Sequence, residues 1–285
     1  MRKYIAVISS IIFLVLFLLI GCDKEEKVPA YLSINSMSLT SNYLVVGTAS
    51  HNIKDAWVYI DGQVLGVYEL PARFPVLSEG RHSLNIAAGI FVDGVSATRT
   101  KYPFYNFYDT IIDFVAGQTL ALPAPIPVKY FEGQTYTWYE DFEGTGFTFI
   151  ANPSSDVQII GTTDDVFEGT GSAKFTLTSD DPKFDGQMQD GYAIVTQNST
   201  FLELNYKTEQ PFSVGMRVST GVSTKTVYVA TVNTSAAWNK IYIDLSKVVN
   251  ENQSADLFRV YIYAELSSGR SQSIVYLDNF KLIHN

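Results

Sequence analysis

Short runs in which apolar and polar residues alternate recur along most of the chain. Residues 56–60, 83–87, 172–177, 201–206, 226–232, 240–245, 258–264 and 274–283 all show a period of two and are rich in Val, Ile, Tyr, Phe and Thr. Such alternation puts successive side chains on opposite faces of a strand. Gly, Asn, Asp and Pro fill the gaps, as tight turns require. Only a stretch within 245–252 predicts helix, of one or two turns. The predicted fold class is all-β.

The same alternation sorts residues into faces. In 258–265, Phe258, Val260, Ile262 and Ala264 point one way, and Arg259, Tyr261, Tyr263 and Glu265 the other. Ile241, Ile243 and Leu245 turn inward and Tyr242 and Asp244 outward. Leu202, Leu204 and Tyr206 share one face, with Glu203 and Asn205 opposite, and Val214, Met216 and Val218 oppose Arg217. This predicts one sheet whose outer face carries Tyr261, Tyr263, Arg259, Arg217, Glu203 and Asn205. Flat rings beside fixed donors and acceptors suit a sugar. The same mixture suits a protein partner, and it is also common on solvent-facing sheets.

Proline marks a boundary. Pro123, Pro125 and Pro127 remove backbone donors at alternate positions, which argues against a sheet interior and for a stiff extended linker. The reading is a first β-domain at 30–122, a linker at 123–133 and a second domain at 134–285. Residues 102–108 hold five aromatics in seven, either packed against a core or offered as a contact patch.

The N-terminus bears on location. Arg2 and Lys3 precede a nearly unbroken apolar run at 5–20, shorter than the roughly 20 residues of a spanning helix. That is the plan of a secretory signal. The run ends in Leu19-Ile20-Gly21-Cys22, and Cys22 is the one cysteine of the chain. This ending resembles the bacterial lipobox, which implies a signal peptide at 1–21 removed before a fatty-acylated Cys22, with 22–29 as an acidic tether. Cys22-Asp23-Lys24-Glu25-Glu26 resembles the export signal of surface lipoproteins of the Bacteroidota, which implies the outer face of the outer membrane. Losing residues 1–21 removes two cations and no acid, so the net charge of −9 becomes −11.

Composition narrows the chemistry. Lys plus Arg is 20 against 29 Asp plus Glu, with no basic cluster, so nucleic acid is a poor partner. One cysteine and three histidines (His51, His82 and His284) leave no Cys-based zinc site. G-x-S-x-G, H-E-x-x-H and P-loop motifs are absent, and Glu140-Asp141-Phe142-Glu143 lacks the E-x-D-x-x-E spacing of jelly-roll glucanases. The expectation is a protein that is not an enzyme and requires no cofactor.

Two further resemblances concern the domains. Residues 56–90 run from Ala56-Trp-Val-Tyr-Ile60 through Asp61-Gly62, Gly66, Pro71 and Pro75 to Glu79-Gly80-Arg81-His82. The order resembles the PEGA-type surface β-domain, a non-catalytic contact module, and makes His82 a turn or sheet residue. In the second domain, Trp138-Tyr-Glu-Asp-Phe-Glu-Gly144, Phe167-Glu-Gly-Thr-Gly-Ser-Ala-Lys-Phe175, Trp238-Asn-Lys-Ile-Tyr-Ile-Asp-Leu245 and Ile274-Val-Tyr-Leu-Asp-Asn-Phe-Lys-Leu282 follow in order. Together they resemble carbohydrate-binding jelly-roll modules of galactose-binding-like fold. That resemblance implies a β-sandwich and a structural Ca²⁺ between first and last strands. The matching positions are Glu140, Asp141, Glu143 and Asp278; the other reading makes them solvated strand-end acids. The expected function is a lipid-anchored binding or assembly module, with a surface glycan as ligand. The alternative is an accessory subunit of an outer-membrane complex for barrel assembly, secretion or nutrient uptake, docking protein partners through both domains.

Overall fold

The computed structural model describes residues 27–195 and 197–285. The expected signal peptide at 1–21 and Cys22, Asp23, Lys24, Glu25 and Glu26 lie outside the described residues. The first domain holds β1 (Ala30–Ile34), β2 (Met37–Leu39), β3 (Asp55–Ile60), β4 (Gln63–Glu69), β5 (Ala72–Val76), β6 (Gly80–Phe91), β7 (Arg99–Lys101), β8 (Tyr108–Phe114), β9 (Thr119–Ala121) and β10 (Ile126–Val128), with a short helix α1 (Tyr43–Val46). Asp61 and Gly62 both take positive φ, 49° and 77°, the left-handed pair that a two-residue hairpin between β3 and β4 requires. β3 then pairs with β6, and β7 and β8 both pair with β6 further along. Ala56, Val58, Leu84, Ile86 and Ile90 face a core shared with Leu32, Ile34, Phe74 and Phe114 of the remaining strands.

Residues 123–133 depart from the linker expectation. β10 pairs in parallel with β2, with Ile126 N–H donating to Ser36 O and Thr40 N–H to Val128 O. In such a ladder only alternate N–H groups face the partner. Pro125 and Pro127 occupy the positions whose donors would point away, so alternate prolines are compatible with an edge strand. Ile126 and Val128 are fully buried in the first core, which makes this segment part of that domain. The aromatic run splits: Tyr102, Phe104 and Tyr105 are buried and Phe107 is exposed.

The second domain is a two-sheet β-sandwich of β11 (Thr135–Glu140), β12 (Phe149–Ala151), β13 (Ile160–Thr162), β14 (Ser172–Thr178), β15 (Lys183–Met188), β16 (Thr200–Thr208), β17 (Phe212–Thr220), β18 (Ser223–Val232), β19 (Ser235–Asp244), β20 (Leu257–Glu265) and β21 (Gln272–His284). A helix α2 (Ser246–Glu251) lies within the stretch expected to be helical. One sheet has the order β13-β14-β21-β16-β19, with β11 also on β21; the other has the order β12-β15-β20-β17-β18. Every residue assigned inward by alternation on β16, β17, β19 and β20 lies in the core between them.

The first domain covers part of the outer face of the six-stranded sheet, around Phe201, Tyr242 and Ile283. These three side chains leave the second core and join the first. Between them lies a buried polar cluster. Glu203 is fully buried and accepts from Tyr102 OH at 2.6 Å and Tyr130 OH at 2.9 Å. The Lys240 ammonium sits 2.9 Å from Glu203 Oε2, an ion pair whose geometry falls short of a directed hydrogen bond. Lys281 donates to Tyr130 OH at 2.7 Å, and Tyr105 and Tyr242 share a hydroxyl contact at 3.1 Å. Asn205 donates to Ser50 Oγ at 2.8 Å. Glu203 and Asn205 are therefore interdomain residues and not part of a ligand face with Tyr261. Alternation tells which side chains leave a core. It does not tell which sheet a strand joins or what covers the far side.

Candidate functional site

The exposed outer face belongs to the five-stranded sheet. Here Gln187, Tyr261, Gly215 and Tyr228 stand in one cross-strand row, and Asp185, Tyr263 and Ser213 in the next. Arg217 and Arg259 are direct neighbours on β17 and β20. Tyr261 is only 3% exposed because Arg217 lies over its ring, guanidinium carbon 4.6 Å from the centroid. That guanidinium is fixed from the side, donating to Gln187 Oε1 at 2.9 Å and Asp185 Oδ1 at 3.0 Å. Asp185 is fixed in turn by Asn152 Nδ2 at 2.6 Å and Ser154 Oγ at 2.8 Å. Tyr228 stands more than half exposed, edge-on to Tyr261 at 5.8 Å and to Tyr263 at 6.4 Å.

Local sequence explains this relief. A β-bulge between Val214 and Gly215 draws β18 across β17, and a Cβ on residue 215 would meet Val227 O at 2.2 Å. Glycine there leaves Tyr228 upright beside a low Tyr261. Burial foremost, then the neighbouring Tyr228 and Asp185, raises the Tyr261 phenol, so it stays a neutral hydrogen-bonding group. The face therefore combines ring surface, a planar cation and anchored acceptors, which can stack a sugar ring and hold its hydroxyls.

Of the six predicted face residues, Tyr261, Tyr263, Arg259 and Arg217 come together here. Asp185, Gln187 and Tyr228 join them without having been singled out in the sequence. The signal was present: Phe184, Gly186 and Met188 alternate with Asp185 and Gln187, and Tyr228 lies within an alternating run.

Each of the four acidic positions accepts hydrogen bonds from nearby donors. Glu140 accepts from Phe142 N–H and Thr148 Oγ1, Asp141 from Tyr43 OH and Glu143 N–H, and Glu143 from Thr170 N–H and Oγ1. Asp278 accepts from Glu168 N–H at 3.3 Å. Among the described residues no three His, Cys, Asp or Glu side chains are grouped to hold a metal. Glu140, Asp141 and Glu143 each close a loop through their own donors, and Glu143 lies near enough to Asp278 to raise its carboxyl further. Asp278 is the strained member. Burial raises its carboxyl to about 7 against the backbone donors of Glu168, Asn279 and Phe167, and its Oδ1 has no partner. His82 ties two turns together, with Nδ1 2.6 Å from Asp61 Oδ2 and Nε2 3.0 Å from Glu79 O.

No family model and no curated protein matches the chain. Solved structures that resemble it include the CBM22-1 xylan-binding domain of Paenibacillus barcinonensis Xyn10C, at 14% identity over 54% of this chain and 97% of that one, with TM-score 0.40. The C-terminal family 22 carbohydrate binding module of Clostridium thermocellum Xyn10B aligns at 14% identity over 52% and 92%, with TM-score 0.36. A carbohydrate-binding module from the β-sandwich superfamily aligns at 14% over 90% and 99%, with TM-score 0.38. The ligands named for those domains are theirs, and at this level the likenesses carry no argument about this chain's ligand.

Proposed function

We propose that the protein is a non-catalytic, lipid-anchored binding protein of the bacterial outer-membrane surface whose second domain takes a glycan. The observation that supports this most is the outer face of the five-stranded sheet, where Tyr228 stands edge-on to Tyr263 and to a Tyr261 covered by an Arg217 that Asp185 and Gln187 clamp. Ring surface next to fixed polar groups is the chemistry that a pyranose needs.

The first domain acts as a spacer in this reading. The described chain enters at Lys27, beside the turn where Gly117 N–H donates to Pro29 O. β6 begins at Gly80, near that end, and runs twelve residues, about 40 Å at the usual rise. Just beyond it Val92 bridges to Tyr242 of the second domain. An acylated Cys22, with Asp23, Lys24, Glu25 and Glu26 as export signal, would then hold the binding face well clear of the bilayer.

Two experiments test the proposal. The full chain on a glycan array should give signals that Tyr228→Ala/Tyr263→Ala abolishes. No glycan signal, together with stoichiometric co-purification of an outer-membrane barrel protein, would favour the accessory-subunit reading instead. For the anchor, Cys22→Ala should leave the membrane fraction or remain unprocessed; fractionation and migration like wild type would remove the lipid attachment.

A further inference from the structure

The first domain also has a free sheet face. On the side of β3 away from the core stand Asp55, Trp57 and Tyr59. Trp57 lies down on Gly89, where a Cβ would approach its Nε1 to 2.7 Å, so glycine on β6 lets the indole rest flat. Tyr59 follows two residues on, roughly 7 Å along the strand. Its ring meets Phe107 at 5.8 Å and 67°, forming an angled pair, and Phe107 is 41% exposed. The exposed Lys101 ammonium stands 5.3 Å from the Tyr59 ring and 5.7 Å from the Phe107 ring. Opposite, Asn85 Nδ2 donates to Asp109 Oδ1 at 2.7 Å, which orients Asn85 Oδ1 and leaves the second Asp109 oxygen open. Tyr59, Gly62, Asn85, Phe107 and Asp109 line a shallow, open hollow of about 320 Å³.

We propose that this hollow is a second saccharide-binding site, taking a single neutral pyranose ring of a polysaccharide. The angled rings offer apolar surface to the C–H face of the sugar. Asp109 and Asn85 each keep an acceptor oxygen for sugar hydroxyls, and Lys101, beside the Tyr59 and Phe107 rings, adds a nearby donor. The volume lies at the small end for small-molecule sites, about 300–1,000 Å³. Five lining residues are few against the 20–30 or so that each side of a stable protein interface contributes. The site lies wholly on the first domain. It goes beyond the second-domain reading and does not rest on it. Because the buried Glu203 cluster docks the domains, the two faces are held at a fixed separation.

The test is affinity electrophoresis of the full chain through native gels containing xylan, β-1,4-galactan, mannan or mixed-linkage β-glucan. The Tyr228→Ala/Tyr263→Ala protein, which lacks the second-domain platform, should still be retarded by at least one of them. Adding Phe107→Ala or Tyr59→Ala should weaken that retardation by roughly tenfold in affinity, the effect of losing one well-packed aromatic contact. Asp109→Ala, at an exposed position, should do the same without moving the melting temperature. Absence of retardation in the Tyr228→Ala/Tyr263→Ala background overturns the inference, as does retardation that survives these additions. Retardation of wild type that depends only on Tyr228 and Tyr263 leaves the second-domain reading standing alone. Retardation that depends only on Tyr59 and Phe107 does the reverse.

Discussion

Replacing Glu203 by glutamine would remove one charge from the domain interface and almost no volume. In the native protein burial pushes the Glu203 carboxyl up, but Lys240, Lys281 and the Tyr102 hydrogen bond hold it below its ordinary value. Glutamine can still accept from Tyr102, so the loss is chiefly electrostatic. Lys240 and Lys281, 4% and 1% exposed, would then lose their shared counter-charge, with Glu168 the remaining carboxylate that favours a charged Lys281. Removing one member of a buried ion pair costs about 3–5 kcal/mol, and two cations share this anion, so the upper half of that range is expected at pH 7. Burial, opposed by Glu203, lowers Lys281 to about 8 from 10.5. Between those values the unfolded chain keeps a proton that the folded chain has lost. Stability from this group therefore rises with pH through that window, by about 3 kcal/mol in all. With Glu203 neutral, Lys281 gives up its proton at lower pH still. The gap between wild type and Glu203→Gln should accordingly narrow as the pH climbs from 7 to 10. Urea unfolding followed by tryptophan fluorescence at several pH values reads both quantities. A loss below about 1 kcal/mol at pH 7, the worth of an exposed pair, or a gap that does not change with pH, would refute the reasoning.

Asp278→Asn should stabilise the protein at pH 8. Burial first raises the folded carboxyl to about 7 from 3.8, so stability from this group falls as the pH rises between those values, by about 4 kcal/mol at most. The melting temperature of the variant should exceed that of wild type at pH 8 and approach it near pH 4; parallel melting curves at both would sink the argument. Gly215→Ala should cost roughly 1–3 kcal/mol through overpacking, since its Cβ would meet the backbone oxygen of Val227 at 2.2 Å. Chemical denaturation within about 0.5 kcal/mol of wild type, the scatter of a neutral surface change, would mean that the bulge relaxes freely.

Several features were legible in local order alone. Alternation on β16, β17, β19 and β20 assigned the inward side chains that fill the second core. Asp61-Gly62, a pair suited to positive φ, makes a hairpin turn, and the short helix formed within its expected stretch. These depend on period and on backbone freedom over a few residues, which a single chain carries in full. The candidate face was only half legible. Arg217, Arg259, Tyr261 and Tyr263 meet because β17 and β20 are neighbours, while Glu203 and Asn205 leave because β16 lies in the other sheet.

The chain by itself therefore determined the main strands and the inward faces of the second domain. Tertiary structure decided three things: that Pro127 sits in an edge strand beside β2 with Pro125 just ahead of it, that the outer face holding Glu203 is roofed by Tyr102 and Tyr130, and that Tyr228 stands next to Tyr261. Each rests on pairings between residues tens to more than a hundred positions apart. A side chain's exit from one core is a property of its own strand; what it meets on the far side is set by whichever strand or domain the folded chain brings there.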